Sequence, residues 1–487
     1  MDDMMNIGWR DLSQKFPNVR LVSTRDRQAT TVVAIPIDQK NSARPSIWAH
    51  ELEGKPDIET ASRLFPNVVL QTDGQFYLPV SVGTTPEELL RAGARFGASL
   101  ARMDRCQLDL RKFQSEQAAN SDFCWFVRGV VLGRYSQTLD GRNDDAFSLD
   151  IICDVENAET GEWQTVLHGI HGELLMRDLV NMPPNILTPG HFARICKSLE
   201  AIGLDVEILD KATLEEEGFG CLLAVAQGST EPPFVAILSH RGGGAEPPTV
   251  LAGKGVCFDS GGLSLKPAEG MMSMKTDMAG AAAVVGAICT MALTKAKKNV
   301  VAIVGLTENM PGGSAVRPGD VVQAHDGRLV EVLNTDYEGR LVLADIMSFA
   351  RDRYAPSSIV SIGTLTGGVI MALGGAYAGA FSNSERLLQL AVETGSRAAE
   401  PVWPLPVNER FDGELASDVA DLRNIGRTRG AAASVCARFL QGFVEPVPWL
   451  HFDIAGVTSV TDQSTIPGKG ANGFGARLFC ELITSGL

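Results

Sequence analysis

TVLAGKGVCF (249–258), AGAAAVVGAICTMALTKA (279–296) and NVVAIVGL (299–306) form the stretch that decides the fold. The first and last are continuous apolar runs rich in β-branched residues, the pattern of strands buried on both faces. The Ala-rich run between them reads as a buried helix. Strand, helix, strand in this order predicts a largely parallel sheet covered by helices. The alternation extends outward on both sides. FVAILSH (234–240) is a further strand, joined to 249–258 by the turn-forming RGGGAEPP. GRLVLADIMSFARDR (339–353) reads as a helix and SSIVSIGTLTG (357–367) as a strand. Sheets of this type hold ligands beyond the carboxyl ends of their strands.

With 487 residues, the chain is longer than one ordinary core supports. In the first third, TTVVAIPI (30–37), FYLPVSVG (76–83) and FSLDIICDV (147–155) read as strands. TPEELLRAGARFGASLARM (85–103) reads as a helix capped by Thr85 with Pro86 at its first position, and FCWFVRGVVLGRYS (123–136) as another. No acid, base or nucleophile clusters there. After the polar ENAETGEWQ (156–164), a helix over 165–182 ends at Pro183 and Pro184. The expected organisation is a smaller N-terminal α/β domain (1–163), a connecting helix (164–184) and a larger C-terminal α/β domain (185–487). A mostly parallel central sheet in the larger domain carries the site.

Composition narrows the function class. The hydrophobic fraction of 45% and charged fraction of 21% are those of a soluble globular protein. A net charge of -15, without a Lys/Arg run, argues against nucleic acid. The acidic start MDDMMNIGWRDLSQKF lacks the features of a signal peptide. The apolar run 279–293 falls short of the ~20 residues that span a bilayer, so no membrane partner is expected. Nine scattered cysteines without a CxxC pair fit a reducing, cytoplasmic compartment.

Two charged clusters fall at the strand ends. NTDYEGRL (334–341) sets Asp336, Glu338 and Arg340 after the apolar Leu329, Val330, Val332 and Leu333, at the edge of an expected core strand. GKGVCFDSGGLSLKPAEGMMSMKTDMAG (253–280) carries Lys254, Asp259, Lys266 and Asp277, with Gly261 and Gly262 permitting a tight turn. Four carboxylates carry -4, and Lys266 and Arg340 return +2. With Lys254 neutral, two divalent cations cancel the carboxylates. Such a pair, ~3.5–4 Å apart, activates a bridging water and polarises a carbonyl or phosphoryl oxygen. Ligation rich in oxygen suits Mg²⁺ or Mn²⁺, and Zn²⁺ also accepts carboxylates. The residues alone leave alternatives: Asp277 as a helix cap, Asp336 and Glu338 as partners of Arg340, a two-metal phosphohydrolase, or an inactive scaffold. No GxxxxGK[ST] loop supports phosphate chemistry.

NTDYEGRL closely resembles the NTDAEGRL signature of the cytosolic leucyl aminopeptidases, the dimetallic M17 peptidases. The upstream cluster is similar to that family's GKG-x-x-FDSGG-x-SLKP followed by MK-x-D. RDLVNMPPNILTP (177–189), TENMPGGSAVRPGD (307–320), GTLTGGVIMALG (363–374), FDIAG (452–456) and GANGFGARL (470–478) extend the resemblance, while the N-terminal third matches loosely. It implies a homohexameric, cytoplasmic aminopeptidase that takes leucine and similar residues from peptides with a free N-terminus, using two divalent ions (Mn²⁺ or Zn²⁺). By the same resemblance, Asp259 and Glu338 bridge the metals, Lys254 and Asp277 complete the tight site, and Asp336 serves the exchangeable one. Lys266 steadies the substrate carbonyl, and Arg340 holds a bicarbonate that is general base to the bridging water. Met274 and Thr364 line the first side-chain pocket, backbone atoms of Leu365 and Gly367 hold the peptide, and Ala455 closes the wall. Tyr337 departs from the family's Ala; with 336–338 extended, it would point away from Asp336 and Glu338. Thr276 and Ala279 replace common glycines. Thr458 replaces a frequent Met, which argues against strict leucine preference.

Overall fold

The computed structural model describes residues 161–487 except 467, and before them the segments 18–22, 30–38, 69–70, 76–82, 85–99, 105–109, 120–135 and 148–152. The acidic N-terminal stretch 1–16 and the polar residues 156–160 lie outside the described residues, as do the outer ends of the first-third elements read above. The chain divides into two compact units, one built on residues 14–170 with 465–468, the other on 171–464 with 469–487.

In the smaller unit, β1 (Asn18–Val22), β2 (Thr30–Asp38), β3 (Val69–Leu70), β4 (Phe76–Val82), β5 (Arg105–Asp109) and β6 (Ser148–Ile152) form one sheet in the order β1-β6-β5-β2-β4-β3. Every neighbouring pair is parallel except β3–β4. Helices α1 (Pro86–Ser99) and α2 (Asn120–Arg134) belong to this unit. Helix α1 opens on a reciprocal cap: Thr85 N donates to the Glu88 carboxylate (2.9 Å), and Glu88 N donates to Thr85 Oγ1 (3.3 Å). Helix α3 (Gly161–Asn181) stops just before Pro183 and Pro184.

The larger unit is built on eight strands: β7 (Asp205–Leu209), β8 (Phe234–Arg241), β9 (Thr249–Asp259), β10 (Asn299–Asn309), β13 (Ser358–Gly363), β14 (Ala378–Ser382), β15 (Val402–Pro404) and β17 (Trp449–Asp453). Their order is β15-β14-β17-β13-β9-β10-β8-β7. The central four, β17, β13, β9 and β10, run parallel, and β8 and β14 flank them antiparallel. Strands β8 and β9 follow each other in sequence but are not neighbours, because β10 inserts between them. A separate three-stranded sheet holds β11 (Asp320–Gln323), β12 (Leu329–Val332) and β16 (Leu422–Arg423). The apolar run before NTDYEGRL therefore lies in this small sheet, not in the central one. Val330 and Val332 are buried there and Leu329 is exposed.

Strand β9 is buried at every position but Phe258. Helix α4 (Pro189–Ser198) contacts β8 and β10. Helix α5 (Ala279–Thr294) lies against β9, and α6 (Gly339–Tyr354) packs Leu341, Leu343 and Met347 into a core shared with Val250, Ala252, Ile303 and Ile359. The stretch Met274–Thr294 is long and apolar enough to cross a bilayer, exceeding the run read from sequence. Yet 89% of its most apolar window is buried, which makes it the core helix of the sheet. Its approach is set by Gly280, where an added Cβ would lie 2.4 Å from Ile362 O.

Asp345 on α6 is fully buried. Its carboxylate accepts from Leu222 N and His325 N, both at 2.9 Å, and so ties the first turn of the short helix Gly220–Ala226 and the loop at His325 to α6. Burial pushes its carboxyl up to about 7, against the lowering effect of those amides. The folded chain therefore keeps a proton that the unfolded chain releases near pH 3.8, and Asp345's contribution to stability falls as pH rises from about 4 to about 7.

Two outcomes follow from this packing. Gly280→Ala forces backbone apart and should cost about 2 kcal/mol, read as a lower Tm in calorimetry. The Tm of the wild type minus that of Asp345→Asn should decrease between about pH 4 and about pH 7, since Asn does not titrate.

Candidate active site

Lys254 projects from the interior of β9 and is 2% exposed. Its Nζ lies 2.8 Å from Asp277 Oδ1 and 2.7 Å from Glu338 Oε1, and it donates to Thr364 O at 2.7 Å. Beyond Asp259, at the end of the same strand, the chain turns at Gly261 (φ 87) and Gly262 (φ 62). A Cβ on Gly261 would meet Asp336 Oδ1 at 2.8 Å, so backbone conformation and space both demand glycine there. Asp259 Oδ1 pins the turn by accepting from Gly261 N and Asn309 Nδ2, each at 2.8 Å. The returning loop delivers Lys266, whose Nζ lies 2.7 Å from Asp259 Oδ2 and 2.5 Å from Asp336 Oδ1.

Asp277 follows the short turn Met274–Thr276 that leads into α5. It does not cap that helix. The cap position is Met278, with no side-chain bond, and Asp277 Oδ1 instead accepts from Lys254 and from Thr364 Oγ1 (2.6 Å). Residues 336–338 are not extended either. A turn at 335–336 places Asp336, and Glu338 has helical backbone at the start of α6. The turn is held by Thr335, whose Oγ1 donates to Gly261 O (2.6 Å) and accepts from Ser264 N (2.8 Å). Asp259, Asp336 and Glu338 nevertheless converge, each offering one oxygen within 4.8 Å of the others. Neither acid pairs with Arg340. They face the two lysines, while the Arg340 guanidinium lies 4.8 Å from the centre of the Tyr337 ring.

The electrostatics describe a site short of positive charge. Burial, reinforced by Glu338, pushes the Asp259 carboxyl up to about 6, with Lys254 and Lys266 opposing. Burial drives Asp277 well above the ordinary carboxyl range. Burial works to raise Glu338, but Lys254 and Lys266 together hold it below its usual value. Burial works against the Lys254 ammonium, but Asp277, Glu338 and Asp259 overcome it and raise its pKa. The buried oxygens Asp277 Oδ2 and Glu338 Oε2 have no hydrogen-bond partner among the described residues. Leaving such atoms unpaired is costly, and a divalent ion among oxygen donors would relieve it. The donor set fits.

Thr364, Leu365 and Gly367 follow β13, and Ala455 follows the parallel neighbour β17, so strand order alone sets these segments side by side. The fully buried Asp453 joins them. Its Oδ1 accepts from Leu365 N (3.1 Å) and Ala455 N (3.2 Å), and its Oδ2 from Thr366 Oγ1 (2.7 Å). Met274, half-buried, is brought to the site through the single turn that separates it from Asp277. Gly367 is exposed at the start of a short helix. Asp453, Asn309 and Thr335 were not singled out by the sequence reading. Asp453 stood in the FDIAG motif at a strand end, the one signal that pointed towards it.

The sequence model for the cytosol aminopeptidase family catalytic domain matches residues 174–480. A probable cytosol aminopeptidase of Gluconobacter oxydans is 48% identical over 327 residues, which span 67% of this chain and 66% of that protein. A probable cytosol aminopeptidase of Rhizobium johnstonii is 39% identical over 413 residues, 82% of each chain. The solved structure of the bottromycin maturation enzyme BotP in complex with Mn superposes with a TM-score of 0.82 at 32% identity, over 94% of this chain and 99% of that one. Matched across the whole span that carries the lysine–carboxylate cluster, the chain belongs to the cytosol aminopeptidase family, the M17 peptidases, and is a metal-dependent aminopeptidase that removes N-terminal residues from peptides.

Proposed function

We propose that Lys254, Asp259, Asp277, Asp336 and Glu338 hold two divalent ions, Mn²⁺ or Zn²⁺, and that Lys266 and Arg340 are the catalytic side chains. The observation that carries this reading is the pair of buried, partnerless oxygens on Asp277 and Glu338 beside the converging carboxylates. BotP, a structural neighbour, was solved with Mn. Bound in this cluster, the ions would supply Lewis acidity towards the scissile carbonyl and acidify a water.

The chain's own groups divide the remaining work. Lys254 must lose the proton that its three carboxylates now hold in place, because an ammonium has no lone pair to give a metal. Lys266 keeps its proton. Burial opposes its charge, but Asp259 and Asp336 hold its pKa up, so a cation stands ready for the oxyanion that develops on the carbonyl. Arg340 holds bicarbonate, the source of general-base chemistry. Leu365 spends its N–H on Asp453, which leaves its carbonyl to receive a peptide N–H. Met274, Thr364 and Ala455 shape the pocket for the first side chain, and Gly367 contributes backbone. The family resemblance supports leucine and similar residues as the ones released, and the buried Thr458, where relatives often place Met, argues against strict selection of leucine.

Residues 185–487 are read as the catalytic domain, joined through the helix at 164–184 to the N-terminal domain at 1–163. The family resemblance supports a homohexamer, and the relatives' names support a cytosolic location. The net charge of -15 weighs against nucleic acid as a partner.

Hydrolysis of leucine p-nitroanilide is the direct test. Activity should vanish with chelator, return with Mn²⁺ or Zn²⁺, and be absent on the N-acetylated substrate. Activity that survives chelation would refute the metal assignment, and cleavage of the blocked substrate would refute recognition of a free amine. Asn309→Ala, which frees Asp259 Oδ1 from its amide, should weaken metal retention by ~10–100-fold in a chelator competition titration.

A further inference from the structure

Arg340 presents an unusual problem of charge. Its side chain is 2% exposed, yet among the described residues it makes no hydrogen bond and no ion pair, and one terminal nitrogen is buried without a partner. The natural counter-charges, Asp336 and Glu338, flank Tyr337 and are both committed to lysines. The position adds to the cost. Arg340 is the second residue of α6, where the positive end of a 16-residue helix disfavours a cation. An uncompensated guanidinium here is costly to bury unless something else faces it.

What faces it is the Tyr337 ring, its centre 4.8 Å from the guanidinium carbon. We infer that Tyr337 is the positioning residue of the Arg340 anion site, its π-face supporting the guanidinium when no anion is bound and fixing the plane in which the N–H donors meet a small planar oxyanion. The inference rests on the reading of Arg340 as the holder of bicarbonate. Stacking and anion binding use different parts of the group: the ring takes the face and leaves the in-plane donors free. Both interactions therefore coexist, and the first prepares the second by restricting the rotamers that Arg340 would otherwise lose on binding. The Tyr337 hydroxyl makes no hydrogen bond among the described residues. Its backbone N–H donates to Asn334 O (3.3 Å), a contact that any residue keeps. The ring is what matters. The usual family Ala at this position has no such face, so the requirement for bicarbonate should differ between this chain and relatives that carry Ala.

The test is calorimetric titration of bicarbonate, and separately of formate as a non-reacting planar oxyanion, into the Mn²⁺-loaded enzyme in buffer freed of CO₂. Wild type is compared with Tyr337→Phe, Tyr337→Leu, Tyr337→Ala and Arg340→Met. Tyr337→Phe should bind within twofold of wild type. Tyr337→Leu and Tyr337→Ala should each raise the Kd about tenfold, which corresponds to about 1.4 kcal/mol, and shift the bicarbonate concentration for half-maximal activity in parallel. Tyr337→Leu fills the space without a π-face, so wild-type affinity in that variant would overturn the inference by showing that packing suffices. Wild-type affinity in Tyr337→Ala would overturn it outright. Those two results leave Arg340 as the anion site intact. If instead wild type binds neither oxyanion, or Arg340→Met binds them equally well, the anion site itself is refuted and the role of Tyr337 falls with it.

Discussion

A lysine buried in the middle of a parallel strand, with its ammonium between two carboxylates, is the constraint on which the rest depends. Lys254 can lie there only because charge is returned to it at 2.7 and 2.8 Å, and because the surrounding chain makes room. A Cβ on Gly339 would sit 2.6 Å from Lys254 Cδ, so the helix that carries Arg340 must begin with glycine to pass the lysine stem. Removing one acid would leave the lysine with a single carboxylate, and removing the lysine would leave two acids repelling each other. The cluster also has more acid than its own lysines neutralise, and that imbalance selects for divalent cations.

Around this centre, further polar groups, most of them neutral amides and hydroxyls, fix geometry. Asn309 and the Gly261 amide hold Asp259, Thr335 clamps the turn that delivers Asp336, and Asp453 ties the ends of β13 and β17 together. Asp453 is itself buried, which pushes its carboxyl up to about 6 against three hydrogen bonds that lower it. These contacts join segments far apart in sequence. They convert strand order into site geometry, because parallel neighbours bring their carboxyl ends to the same edge of the sheet.

Much of this was legible in the sequence, and the reason is local. The runs 249–258, 279–296 and 299–306 carry their structure in composition and period, and they appear as β9, α5 and β10 within a few residues. Both charged clusters stood out because charge beside buried strands is conspicuous. Pairing was not legible. Nothing local says that β10 inserts between β8 and β9, or that the apolar run before NTDYEGRL joins a small separate sheet. Nothing local says that Asp336 and Glu338 choose Lys266 and Lys254 over Arg340, four or fewer positions away. The expected extended geometry at 336–338 gave way to a turn held by Thr335, whose partners Gly261 and Ser264 lie more than seventy residues earlier. Such choices are made by tertiary contact, and sequence periodicity does not encode them.

The most direct test of the account is metal content. Protein saturated with Mn²⁺, passed through gel filtration and analysed by plasma mass spectrometry, should carry two ions per chain, and Glu338→Gln, which alters a carboxylate assigned to both ions, should carry fewer. A wild-type chain that retains none, or a Glu338→Gln chain that retains the full pair, would contradict the claim that this buried lysine–carboxylate cluster is a two-metal site.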